Sequence, residues 1–185
     1  MQHEKKKNRQ RLKTDNNGGA WCPKHMVSNA LKEYLQVDLL STHVITAIRT
    51  QGRFGKGQGQ EYTEAYVVEY WRPGFTNWKR WKNTQGKEIL PGNINTYSEV
   101  ENALQPIVFA SKMRIYPYGQ YDRTVCLRAE IVGCTWDGKK KFLQFLFFFF
   151  FFFSFSFSFF TFSVFNFFMS CINCINAQID MDFCL

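Results

Sequence analysis

Histidine is scarce in this chain, with three among 185 residues: His3, His25 and His43. No Ser-x-Gly elbow, His-Glu-x-x-His pair or kinase signature accompanies them. Hydrolase and transferase chemistry therefore lacks the residues it needs, and no catalytic residues are assigned. The glycine-rich stretch at residues 52–59 places Gln58 after Gly57, where a phosphate loop needs Gly-Lys-Ser/Thr. It reads as a flexible loop between strands. Cys171 and Cys174 form a lone Cys-x-x-Cys with no second pair and no nearby histidine, so neither a metal nor another cofactor is expected. There is no Asn-x-Ser/Thr site to mark a compartment. Residues 1–17 have no apolar run, which excludes a secretory signal there.

The net charge of +8 suggests nucleic acid until it is divided along the chain. Residues 1–17 hold six basic and two acidic residues, and residues 18–138 hold fourteen and eleven. The middle is thus nearly balanced, and a nucleic-acid footprint, which should lie on the folded face, is not expected. The first segment, with Lys5-Lys6-Lys7, reads as a solvated basic arm.

From Trp21 onward the character changes. Leu35, Val37 and Leu39 alternate with Gln36 and Asp38, the period of a half-buried strand. Residues 44–50 are rich in β-branched side chains and read as a second strand. Residues 61–70 read as a third, with Tyr66, Val68 and Tyr70 on one face. Pro73-Gly74, Gly86 and Pro91-Gly92 mark turns. Residues 107–117 and 124–134 give the last two strands. Many short strands, regular turns and no helical period predict an all-β sandwich or jelly roll.

Cys22, Cys126 and Cys134 lie in this strand-rich region. Spacing alone leaves two readings open: disulfides of an oxidising compartment, or buried free thiols.

Four segments carry a resemblance. They are Gly19-Ala20-Trp21-Cys22-Pro23, Leu35-Gln36-Val37-Asp38-Leu39, Thr50-Gln51-Gly52-Arg53 and Cys126-Leu127-Arg128-Ala129-Glu130-Ile131-Val132-Gly133-Cys134. In that order they resemble the collagen-binding discoidin domain (coagulation factor type C-like) of the discoidin domain receptor tyrosine kinases. Gly92-Asn93-Ile94-Asn95 and Met113-Arg114-Ile115-Tyr116-Pro117 are similar to more general words of that fold. The resemblance covers roughly residues 11–138.

It implies a discoidin-type jelly roll whose loops at one end form a trench for the triple helix of fibrillar collagen. Arg53 and Glu61 match charged trench residues. Gly18 and Thr124 stand where the family has Asp and Asn. The family pattern bonds Cys22 to Cys126, tying two loops at the binding end. The family partner of Cys134 is an N-terminal cysteine with no counterpart here, so Cys134 is expected to stand unpaired. The implied role is ligand recognition outside the cell at the plasma membrane, without enzymatic activity; the resembled receptor's kinase domain is absent, and dimerisation belongs to the full-length family member. The family's first segment, which supplies an edge strand and key trench residues, also has no counterpart. The domain is therefore expected to be an incomplete and unstable fragment. A discoidin domain for phospholipid or glycan is the rival reading, with Phe54 as its one apolar loop tip.

After Gly138 the sequence changes again. Eighteen of the 21 phenylalanines lie at or beyond Phe142, and residues 142–169 are uncharged. That run is longer than the roughly 20 apolar residues that span a bilayer. A membrane anchor is one expectation. However, Lys139 to Lys141 before it would hold the β domain in the cytosol, the wrong side for disulfides and collagen. Gly138-Lys139 can be encoded by GGT-AAG, a common splice-donor sequence, and Phe, Ser and Leu codons are those of a pyrimidine tract. Residues 139–185 are accordingly expected to be a translated intron, giving a truncated, membrane-associated product.

Overall fold

A computed structural model describes Leu12 and residues 19–136. Six strands follow one another: β1 (Leu35–Gln51), β2 (Ala65–Trp71), β3 (Lys79–Arg80), β4 (Ile89–Pro91), β5 (Val100–Tyr118) and β6 (Arg128–Thr135). All pair antiparallel, in the order β3-β2-β5-β1-β6, with β4 also on β2. The all-β expectation holds. The only helical turn among the described residues is Gly55–Gly57.

Two long strands make the sandwich. The first part of β1 (Leu35 to Asp38) pairs with the second part of β5 (Ile115 to Lys112), which also pairs with β2. The second part of β1 (His43 to Thr50) pairs with the first part of β5 and, on its other side, with β6. Both half-sheets therefore share β1 and β5, and the register slips between Asp38 and His43 where β1 passes from one to the other. Strands that change sheets do so at such irregularities. Leu40 takes a left-handed φ of 63° there, and its N–H donates to Asp38 Oδ1 at 2.9 Å. The two strands expected at 35–39 and 44–50 are thus one chain element, interrupted by a corner in place of a loop.

The core lies between the half-sheets. Val37, Ile45 and Ile48 of β1, Tyr66 and Val68 of β2, Met113 and Ile115 of β5, and Ile131 of β6 are all fully buried. Tyr70, expected on the same inner face as Tyr66 and Val68, is only partly buried against this cluster. Truncating any of the isoleucines to valine costs about 0.5–1.5 kcal/mol, because so dense a core relaxes only in part.

β6 borders only β1 in the ladder, yet six of its eight residues are buried. Leu12, 5% exposed, lies against it and donates its N–H to Glu130 Oε1 at 3.2 Å. The phenylalanine-rich segment at 142–169 lies outside the described residues. Among the described residues no helix is long and apolar enough to cross a membrane.

Candidate functional site at the loop end

β1, β2, β5 and β6 lead to four connections that are fastened together. The Cys22–Cys126 disulfide joins the segment before β1 to the segment before β6, bearing out the pairing implied by the resemblance. Two isolated bridges, Trp21 to Leu127 and Val27 to Arg123, extend the same contact. Thr63 Oγ1 donates to the Cys126 carbonyl at 3.2 Å, attaching the connection between β1 and β2.

The third and fourth connections meet on Arg128. Its Nε donates to the Gly52 carbonyl at 2.7 Å, and Nη2 donates to the Thr96 carbonyl at 3.2 Å. The side chain is 3% exposed, so a buried cation is satisfied by loop carbonyls. Asn93 acts similarly: its amide donates to the carbonyls of Thr50 and Ser98 at 3.0 and 2.9 Å. Close packing fixes the glycines. A Cβ on Gly59 would sit 1.9 Å from the Arg53 carbonyl oxygen, and one on Gly92 would sit 2.2 Å from that of Thr63. Neither position admits a side chain.

Arg53 and Glu61 face each other across the base of the loop at 52–61. The Arg53 N–H donates to the Glu61 carbonyl at 2.9 Å, and Nη1 lies 3.4 Å from Glu61 Oε1. Both side chains are partly open to solvent. Thr124 is exposed beside Cys126. Gly18 lies outside the described residues. The structure therefore brings Arg53, Glu61, Cys22 and Cys126 into one fastened assembly and leaves Thr124 at its margin.

Cys134 requires a correction. It is disulfide-bonded, whereas it was expected to stand unpaired. Cys22 and Cys126 hold each other, so neither is its partner. The expectation counted only an N-terminal cysteine as partner, but the sequence also carries Cys171, Cys174 and Cys184.

The apolar loop tips also exceed the expectation of Phe54 alone. Phe54 is 38% exposed, but Ile94 is 82%, Tyr121 81%, Tyr97 63% and Met26 61% exposed. Each lies on one of the fastened connections. Sequence reasoning missed them because isolated apolar residues in a turn have no period. The word Gly92-Asn93-Ile94-Asn95 was the available signal for two of them: Asn95 Oδ1 accepts from the N–H groups of Tyr97 and Ser98 at 3.1 and 2.6 Å, an Asx turn that carries Tyr97 and directly follows Ile94. Among the described residues no group of three or more His, Cys, Asp or Glu could hold a metal ion.

Residues 2–131 match the family model for the F5/8 type C domain. The chain is 43% identical over 128 residues to discoidin domain-containing receptor A of Caenorhabditis elegans, covering 69% of this chain and 17% of that protein. It is 39% identical over 126 residues to the human epithelial discoidin domain-containing receptor 1, covering 68% and 14%. The fold is like that of discoidin II of Dictyostelium discoideum, with a TM-score of 0.57 at 21% identity, over 70% of this chain and 50% of that one. The chain thus spans about a sixth of the receptors it matches. The matched part is a binding module and not a kinase domain.

Proposed function

The chain belongs to the F5/8 type C (discoidin) domain family, and from that premise we propose that its loop end recognises fibrillar collagen as the extracellular module of a cell-surface receptor. The observation that carries this reading is the fastening of four connections around the Arg53–Glu61 pair, on a chain similar to discoidin domain receptors. A pair that offers an acceptor and a planar donor fork suits a rope-like ligand displaying side chains of both signs. Exposed Ile94, Tyr97 and Tyr121 supply apolar contact beside it. The disulfides accord with an oxidising, extracellular setting. Signalling would belong to other parts of such a receptor.

The test is binding of the full chain to immobilised triple-helical collagen and to the same collagen after thermal unfolding. Triple-helix-dependent binding that falls about tenfold or more in Arg53→Ala and Glu61→Ala, equivalent to ~1.4 kcal/mol, is expected. Equal binding to unfolded collagen sinks the proposal. The exposed apolar tips also favour a second reading, insertion into a phospholipid surface. Sedimentation with phosphatidylserine vesicles, unaffected by Arg53→Ala but abolished by Ile94→Asp, would support that reading instead.

A further inference from the structure

A second concavity lies away from the loop end, on the half-sheet built from β2, the second part of β5 and the first part of β1. On one face these strands bury Val37, Val68, Met113 and Ile115. The alternate positions open into a depression of about 260 Å³, lined by Gln36, Trp71, Trp78, Lys112 and Arg114. Strand register places them: Gln36 is opposite Arg114, and Lys112 is opposite both Asp38 and Trp71. Two half-buried indoles, Trp71 and Trp78, thus line the solvent side of this half-sheet.

Arg114 is the most constrained group there. Its guanidinium carbon is 3.8 Å from the centroid of the Trp78 ring and 4.2 Å from that of Tyr34. Its Nε donates to Gln36 Oε1 at 2.9 Å. Two rings and an amide therefore fix the planar fork before any ligand arrives. No carboxylate among the described residues is within ion-pair distance of it. Glu69, its cross-strand neighbour, is taken by Arg80 at 3.1 Å, and Asp38 by Lys112 at 3.2 Å. Tyr116 also stands between Glu69 and Arg114, in reach of both side chains. The depression thus keeps a preorganised cation with no ion-pair partner of its own among the described residues.

Trp71 supplies the complementary surface. Its indole N–H is occupied by the Phe75 carbonyl at 3.0 Å, and Lys112 Nζ lies over the ring at 5.8 Å from its centroid, so the half-buried indole offers apolar area beside a cation. A ligand that satisfies the depression must carry one negative charge and a flat C–H face, with polar edges for Gln36 and Lys112. An acidic peptide side chain could engage Arg114 but has no flat face for the indole. A sugar ring with an acidic substituent meets all three requirements, and the depression is below the size of sites for larger ligands.

We propose that this depression is a second binding site, for one anionic sugar residue of a polysaccharide, carboxylated or sulfated. The charged substituent lies against the guanidinium fork of Arg114, and the ring packs on Trp71. This site is independent of the loop end and of what binds there.

Tryptophan fluorescence of the full chain, titrated with a sulfated heparin tetrasaccharide, a carboxylated hyaluronan tetrasaccharide and neutral maltotetraose, tests it. A saturable change with at least one anionic sugar is expected, with maltotetraose at least tenfold weaker. Arg114→Lys retains charge but loses the stacked fork, and should weaken binding about tenfold. Trp71→Ala should do the same, and Arg53→Ala should change nothing. Should Trp71→Ala fail to fold, Arg114→Lys and Gln36→Ala decide, each checked by circular dichroism. The proposal is overturned by no saturable response to either anionic sugar, by unchanged affinity in Arg114→Lys, by equal loss in Arg53→Ala, or by equal competition from polyglutamate.

Discussion

Arg53 and Glu61 are joined twice, through the backbone at 2.9 Å and through their side chains at 3.4 Å. The backbone bond closes the loop at 52–61 whatever the side chains are. The ion pair is long and its side chains are 41% and 31% exposed, so it adds about 0–1 kcal/mol to stability. Arg53→Ala and Glu61→Ala should therefore melt with the parent, and a double-mutant cycle should give a coupling below about 1 kcal/mol. Collagen binding should fall in both. A large common loss of stability would assign the pair to folding and remove it from the binding site.

Arg128 presents the opposite case. It is buried and hydrogen-bonded to two loop carbonyls, Gly52 and Thr96. Replacing it with alanine strands buried acceptors, each costing about 1–3 kcal/mol. Arg128→Ala should lower the melting temperature markedly. Arg128→Lys should recover only part, because an ammonium cannot span both carbonyls as a fork does. A variant that melts within one degree of the parent would refute this account of how the loops are fastened.

These two arginines also show what could be read before the fold was known. Alternation marked Val37 and Leu39, whose neighbours Gln36 and Asp38 stay partly open; at Tyr66 and Val68 the intervening Val67 is buried as well, so β2 is covered on both faces there. β3 and β4, with two and three residues, are too short to carry a period. The first part of β5 escaped notice because Glu101, Asn102, Gln105 and Pro106 interrupt its apolar pattern. Arg53, Glu61 and the Cys22–Cys126 bridge were legible only through a family resemblance. Nothing in the sequence sets Arg128 apart from surface arginines. Its burial follows from where two remote loops land, and that is a tertiary property.

The Cys22–Cys126 disulfide closes a separation of 104 residues. In the chain-entropy account so long a loop gives about 4–5 kcal/mol, and removing a native bridge commonly costs about 2–5 kcal/mol. Cys22→Ser with Cys126→Ser should lower stability within that range and weaken collagen binding, since the bridge joins two of the four connections. Denaturant titration measures the first effect and surface binding the second. Unchanged stability would show that the Trp21–Leu127 and Val27–Arg123 bridges suffice to hold these loops.

Glu33 gives the loop before β1 a dependence on pH. Its carboxylate accepts from the N–H groups of Lys24 and His25, each at 2.8 Å, and lies 2.7 Å from His25 Nδ1. The Lys24 N–H chiefly holds its pKa below the ordinary glutamate value; partial burial opposes this, and the His25 N–H and ring add to it. A carboxylate with a depressed folded pKa contributes stability that is fully present above its unfolded pKa and disappears as pH falls through the folded one. The clasp should therefore hold through neutral and mildly acidic pH and release only below the ordinary glutamate range. Amide proton shifts of Lys24 and His25, followed by NMR from pH 7 downward, should report that transition, and Glu33→Gln should abolish it. A transition at or above the ordinary glutamate value would mean that the two backbone bonds do not stabilise the charged form. The loop carrying Met26 would then be held by the disulfide and the strand bridges instead.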